Sequence, residues 1–362
     1  MADATRTPAD SLERLHEDLE AANMAPTWKY ISSFISKSPR VSYRPWLWKW
    51  DAVIPLLMRS GELITPDRGA ERRSMEHVNP DLKFSYSASH TIATAFQLVR
   101  AGERAPAHRH AAGAIRFAAR SKGGAVYTKV QGERLMMEEN DLLLTPSGMW
   151  HEHANETAHD IVWLDVLDFP LVNLLQASMF QPGEGLVAPD RPDGFSNERL
   201  GLFRPPAEFP YPEAHPVLRY PWTQMREALH SMGTDAEDRH EGVLLEYVNP
   251  LTSGPTLPTL SCRAQLLRGG THTTARRSTS STVYFVIGGE GATVIDGVTF
   301  TWGRGDVFVV PPWSWHEHAA GSGDAYLFSA TDKPVMQALG LFHSESFAEN
   351  GGRQAVLSSF QA

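Results

Sequence analysis

Cysteine is nearly absent from this chain: Cys262 is the single one among 362 residues. One thiol excludes an intrachain disulfide, so a disulfide-stapled secreted fold is ruled out and a reducing, cytoplasmic setting is expected. No activating neighbour flanks that thiol, which is therefore expected to fill core rather than act as a nucleophile. Positive charge is also in deficit. Lysine and arginine number 33 against 42 acidic residues, a net charge of −9. A surface of that sign does not neutralise phosphates, which excludes nucleic acid as a partner. No apolar run reaches the length of a bilayer span, and the opening MADATRTPADSLERL carries no apolar signal region, so no membrane partner is expected. What is present, 42% hydrophobic and 21% charged residues, is the make-up of a globular protein able to bury a large core. The length allows two or three domains.

The first section reads as helix and aromatic arm. Asp10 to Ala22 has Asp10 and Glu13 at capping-pair spacing and Leu12, Leu15 and Leu19 on one face. Trp28, Tyr30, Phe34, Tyr43, Trp46, Trp48 and Trp50 follow, then a second helical stretch from about Asp51 to Ser60. So many rings are costly in water, and they are expected to pack on the rest of the protein or on another subunit.

From Ser89 the texture becomes short β-like runs punctuated by turns: FQLV, AIRFAAR, AVYTKVQG, LLLTP and IVWLDVLDF. Such spacing predicts a sandwich or barrel. A Pro-rich section from about Leu171 to Asn249, with a helical patch near Trp222–Met232, separates this from a second β section. The two β sections repeat. TPSGMWHEHAN, ending at Asn155, and VPPWSWHEHAA, ending at Ala320, share a Pro-x-x-x-Trp-His-Glu-His-Ala core. Asp141 lies ten positions before His151, and Asp306 ten before His316. A shared offset argues for duplicated domains.

His108 and His110 sit one residue apart in a strand-like setting, so both imidazoles project to one side. His151 arrives about forty residues later, behind the apolar run Leu142–Leu144 and the Pro146–Gly148 turn. Three neutral imidazoles from two strands make a metal site with open coordination positions. Ligand type alone leaves iron, zinc, nickel and copper open.

These residues resemble the cupin motifs. Gly102, His108 and His110 fit the beginning of the first; Pro146, Gly148, His151 and Asn155 fit the second, with Asn140 in place of its leading glycine. The first motif's glutamate is missing, since Ala114 and Ile115 occupy its window. A three-histidine site without that carboxylate is similar to the bicupin gentisate and salicylate ring-cleaving dioxygenases. Short identities to that group run over most of the chain: Trp48–Trp50, SGELI, Arg68–Arg73, Asn79-Pro80, APAHRH, IRF, Trp163–Asp168 and Tyr247–Gly254.

The resemblance implies a mainly β fold of two double-stranded β-helix (jelly-roll) barrels with a helical, aromatic N-terminal arm. The expected boundaries are 1–85 for the arm, 86–170 for the first cupin with the metal, 171–250 for the linker, 251–345 for a degenerate second cupin and 346–362 for a tail. The second cupin keeps His272, His316 and His318 but has Trp313 and Ala320 where glycine and asparagine are expected, and is read as structural. The family implies Fe(II), a small aromatic hydroxy acid and O2 as partners, and a homotetramer. It further implies opening of the C1–C2 bond of a 2-hydroxybenzoate, with both oxygen atoms ending in a keto-dicarboxylic acid and no external reductant.

Further site residues follow from the resemblance. Arg116 is expected to hold the substrate carboxylate through its guanidinium fork, the alternative being a structural ion pair. His153, on the face of His151 by alternation, is either an acid–base group near the substrate oxygens or a solvent-facing ring. Gln97 resembles a pocket residue, the alternative being core packing at a strand edge, and Asp165 is expected to orient a ligand histidine through its second ring nitrogen. Arg68 and Arg72 bring positive charge from the arm or are solvated surface. Where the salicylate enzymes carry a bulky aromatic this chain has Ala93, leaving room for a ring substituent. A 5-substituted salicylate, gentisate or 5-nitrosalicylate, is therefore expected ahead of salicylate or 1-hydroxy-2-naphthoate. The rival classes are a metal-dependent isomerase or decarboxylase, which usually keeps the motif glutamate, and a non-catalytic binding or storage bicupin.

Overall fold

A computed structural model describes residues 8–65, 68, 73–183, 188–200, 217–233 and 237–361. The chain divides into two compact units, Met1–Arg40 and Val41–Ala362. In the first, helix Pro8–Ala21 matches the expected opening helix, with proline in the first turn where its missing N–H costs nothing. A second helix, Thr27–Phe34, carries part of the aromatic run, and Trp28 Nε1 donates to His16 Nε2 at 3.2 Å.

The second unit holds the two expected jelly rolls. In the first, a six-stranded sheet runs Arg219–Tyr220, Leu142–Thr145, Ala114–Arg120, Ile161–Leu167, Ala93–Val99, Ser74–Glu76. Facing it, a five-stranded sheet runs Phe180–Pro182, Arg104–His110, His151–Asn155, Val126–Val130, Glu133–Met136. The second barrel repeats the plan around Ser261–Leu267, Thr282–Gly288 and Ala325–Thr331 on one side and Glu290–Ile295 and His316–Ala320 on the other. The structure is mainly β, as expected.

Two short strands lie inside the stretch read as a helical arm. Trp46–Trp48 pairs with Val307–Val310 of the second barrel, and Ser74–Glu76 pairs with Ala93–Val99 of the first. Three-residue strands have no periodicity to read; their partners create them. Helix Trp50–Leu63 joins them. Trp46, Trp48 and Trp50 pack on the barrel core, and the Tyr43 hydroxyl lies 2.9 Å from Ser281 Oγ.

Strand alternation divides the six-stranded sheet into two faces. Phe96, Leu98, Ile115, Phe117 and Leu164 turn toward the second barrel, where Phe117 stacks on Phe328 at 4.6 Å and meets Phe285 at 5.6 Å. Ala93, Ala95, Gln97, Arg116 and Asp165 take the opposite face. Truncating a ring such as the wholly buried Phe117 to alanine costs about 3–5 kcal/mol.

The repeated aspartates have repeated jobs. Asp141 accepts from the Trp222 backbone N–H at 2.8 Å and pairs with Arg219, anchoring helix Trp222–Ser231. Asp306 accepts from the Trp50 N–H at 2.8 Å and pairs with Lys49, anchoring helix Trp50–Leu63. In each case a carboxylate satisfies an orphan donor at a helix start. A second duplicated pair ties the barrels together. Asp168 accepts from Gly113 N–H of its own barrel and Thr259 hydroxyl of the other, while Asp332 accepts from Ser281 N–H of its own and Thr91 hydroxyl of the other.

Candidate metal centre

His108 and His151 are direct cross-strand partners, and His110 follows two positions along the same strand. One ring nitrogen from each of the three lies within 4.8 Å of the other two. The geometry around them is set by backbone. Each Nδ1 meets a carbonyl two residues away: Pro106 at 2.9 Å, Ala112 at 2.8 Å and Met149 at 3.0 Å. A carbonyl accepts only, so each Nδ1 carries the proton and each Nε2 is left as the donor atom for a metal. His151 Nε2 is buried and has no hydrogen-bond partner. Orphaned buried nitrogen is costly unless a cation takes it. Burial, then the Arg116 charge, hold the His151 and His153 rings well below the usual imidazole range, so both are neutral. The donor set therefore fits a divalent transition metal.

Two turns, one on each side of strand Leu142–Thr145, need positive φ. Gly148 has φ 74, and Asn140, standing where the motif has glycine, has φ 68; asparagine is among the few other residues that tolerate it. The second barrel keeps Gly305 at φ 89 but places Trp313 at φ 61, a strained position for a bulky residue. There, His318 sits against Thr293 at 2.8 Å, while His272 Nε2 lies 3.8 Å from Glu317 Oε1. Among the described residues the first-barrel trio is the one group of convergent metal-ligating side chains.

His153 is 3% exposed, so its ring does not face solvent. Its Nδ1 meets Thr128 Oγ1 at 2.9 Å, and its ring lies 5.6 Å from His151 and 5.3 Å from Trp163. Arg116 is buried directly opposite Asp165, with Nε 3.2 Å from Oδ1. That contact is a charge pair without hydrogen-bond alignment, since both atoms lack a bonded partner. Arg116 Nη1 donates to Thr145 Oγ1 at 2.6 Å. Burial lowers the guanidinium and raises the Asp165 carboxyl, each opposed by the other's charge.

The expectation for Asp165 is corrected here. It orients no ligand histidine: it accepts from Trp163 Nε1 at 3.0 Å and faces Arg116, while the three ligand Nδ1 atoms are already held by carbonyls. Gln97 is buried between Ser74 and Trp163 in the sheet, on the face of Asp165. Ala93 is buried opposite Leu167 on the same face. Arg68 is exposed, 3.5 Å from the Leu63 carbonyl, and Arg72 lies outside the described residues. Thr128, Thr145 and Trp163 carry no signal as site residues in the sequence, although all three lie in strand-like runs, because their contacts depend on register. Cys262 is buried, its thiol pushed up to about 12 by burial, as expected of a packing residue. A cavity of 690 Å³ lined by Arg219, Tyr220, Met225 and Tyr247 holds none of these imidazoles; convergent donors, not volume, mark the site.

Two jelly rolls in one chain, the first holding convergent imidazoles on neighbouring strands of one sheet, define a bicupin metalloprotein. The Cupin domain family matches residues 95–167 and again 263–331. A 5-aminosalicylate 1,2-dioxygenase from Comamonas sp. is 65% identical over 353 residues, covering 97% of this chain and 94% of that one. Gentisate 1,2-dioxygenase 1 from Aquipseudomonas alcaligenes is 37% identical, over 93% of this chain and 98% of that one. The crystal structure of a salicylate 1,2-dioxygenase from Pseudaminobacter salicylatoxidans matches with TM-score 0.84 at 32% identity, covering 94% of this chain and 99% of that one. The chain belongs to the bicupin gentisate and salicylate dioxygenases, and it is a ring-cleaving dioxygenase.

Proposed function

We propose that this enzyme uses Fe(II) held by His108, His110 and His151 to open the C1–C2 bond of a 5-substituted 2-hydroxybenzoate, 5-aminosalicylate first and gentisate second. The observation that carries the reading is the trio of Nδ1-locked imidazoles beside a buried guanidinium. The relative at 65% identity is named for 5-aminosalicylate, which favours an amino over a nitro substituent. When bound, the metal supplies open positions at which an aromatic hydroxy acid and O2 meet, with electron transfer between them. The protein's own groups do the rest. Arg116 has Nε turned to Asp165 and one Nη1 proton given to Thr145, leaving Nη2 and the second Nη1 proton for the substrate carboxylate. His153, fixed by Thr128 and neutral, takes or returns the proton of the phenolic oxygen. Gln97 bounds the ring from the same sheet face. The absence of a carboxylate at Ala114 and Ile115 leaves no proton shuttle of the isomerase or decarboxylase kind. Residues 86–170 are assigned as the catalytic domain and 251–345 as its support. No described helix is long and apolar enough to cross a membrane; a cytoplasmic homotetramer is proposed, with sedimentation as its check.

Reconstitution with ferrous iron, followed by oxygen uptake on a panel of substituted salicylates, tests the reading. One O2 consumed per 5-aminosalicylate, with product mass raised by both oxygen atoms, is the expected result. Turnover with zinc and no oxygen uptake would overturn it.

A further inference from the structure

The sheet that carries Arg116 continues past it in an ordered row. Arg116 is opposite Asp165, Asp165 opposite Ala95, and Ala95 opposite Glu76. Directly opposed residues of antiparallel strands share a face, so all four look the same way. That face is the one toward the histidines: Trp163, two positions from Asp165, has its ring 5.3 Å from His153, and the Arg116 charge acts on both His151 and His153. His77, next to Glu76, turns the other way onto Phe96 and Trp48. Neighbouring strands lie about 4.8 Å apart, which puts the Glu76 backbone about 10 Å from that of Asp165 and about 14 Å from that of Arg116. Long side chains at both ends shorten that span, and Ala95 between the carboxylates contributes only a methyl group.

Glu76 differs from every other charged member of the row. Arg116 and Asp165 are paired and buried, whereas among the described residues the Glu76 carboxylate has no hydrogen-bond or ion-pair partner and solvent reaches it. Yet its surroundings are dense enough that burial, helped by the Asp165 charge, raises its carboxyl to about 7. The row thus has a cation at one end and an unused acceptor at the other.

We propose that Glu76 sets substrate choice at C5 by accepting a hydrogen bond from an amino or hydroxyl substituent and disfavouring a nitro group. This rests on the dioxygenase reading above and deepens it. C5 is meta to the C1 carboxylate and para to the C2 oxygen. With the C1 carboxylate at Arg116 and the C2 oxygen turned toward the histidines, the C5 group projects from the opposite ring edge, which the proposal places at Glu76. An N–H or O–H there gains a charge-assisted bond. A nitro group brings only acceptor oxygens to a carboxylate, and unsubstituted salicylate brings nothing.

The test compares wild-type, Glu76→Leu and Glu76→Gln enzymes, each loaded with ferrous iron, on 5-aminosalicylate, gentisate, salicylate and 5-nitrosalicylate. Readouts are kcat/KM by oxygen uptake, anaerobic substrate Kd by calorimetry, and iron content. For Glu76→Leu, the ratio of kcat/KM for 5-aminosalicylate to that for salicylate should fall about 10–100-fold, the size of one lost charged hydrogen bond. The same ratio for 5-nitrosalicylate to salicylate should hold or rise, and iron content should match wild type. Glu76→Gln, whose amide oxygen still accepts, should recover most of the selectivity. Unchanged ratios, or an equal loss on all four substrates, would overturn the proposal while leaving the dioxygenase reading intact. A wild-type enzyme that consumes no oxygen with any of the four would overturn both.

Discussion

Arg116 and Asp165 face each other across a strand pair with side chains 5% and 8% exposed, Nε 3.2 Å from Oδ1. The two partners are not equivalent once one is removed. A stranded carboxylate can take up a proton, and burial already raises the Asp165 carboxyl. A guanidinium cannot give its proton up. Asp165→Leu should therefore cost about 3–5 kcal/mol, and Arg116→Met should cost less. The double variant should be more stable than Asp165→Leu alone. Urea unfolding of the four proteins of this cycle measures the coupling; additive losses would show that the pair does not interact.

The three Nδ1–carbonyl contacts predict how metal loss looks. Because backbone orients the rings, His108→Ala should leave the other two imidazoles in place and the barrel folded, with bound iron lost. A ligand that binds only the folded state raises its melting temperature. Ferrous iron should accordingly raise the Tm of wild type and leave that of His108→Ala unmoved. An equal rise in both would place the ion elsewhere.

Asp332 lies between the barrels, accepting from Ser281 and Thr91, and burial raises its carboxyl from 3.8 to about 6. A folded-state value above the unfolded one means that the native state binds more protons between the two. Its contribution is fully present below pH 4 and is lost as pH rises through 6, for a total of about 3 kcal/mol. Asp332→Asn keeps an acceptor for Ser281 and turns its N–H2 toward Thr91, whose hydroxyl then donates to Ser89, 3.3 Å away. The variant should match wild type near pH 4 and be the more stable of the two at pH 8. Denaturation at both values decides it; a gap that does not grow with pH would show that Asp332 stays ionised throughout.

The duplicated WHEHA segment and the His-x-His pair made the two barrels and the three ligands legible, because both are local patterns with strand periodicity. Asp165 was misassigned because its partner is chosen by register across three strands, which no local pattern records. The carbonyls that lock the ligand rings are invisible for another reason: every residue has one, so composition says nothing of which is used. Trp46–Trp48 and Ser74–Glu76 were hidden inside an aromatic, proline-broken stretch, and with them Glu76 itself. Asp141 and Asp306 were visible as a repeat but not as helix anchors, since the helices they hold, starting at Trp222 and Trp50, come from opposite directions in the chain.

Ala93 offers the sharpest test of how the pocket admits a ring substituent. It shares its sheet face with Gln97 and Asp165 and opposes Leu167, 3% exposed. If its methyl group borders the substrate, Ala93→Phe fills space that a C5 substituent needs, and the kcat/KM ratio of salicylate to 5-aminosalicylate should rise by about 10-fold or more, as loss of one well-fitted group does. If it borders only core, the added ring forces neighbours aside at about 1–3 kcal/mol, and the melting temperature falls with the ratio unchanged. Measuring both quantities on one preparation separates the two. A ratio that rises while iron content and Tm hold assigns Ala93 to the substrate wall.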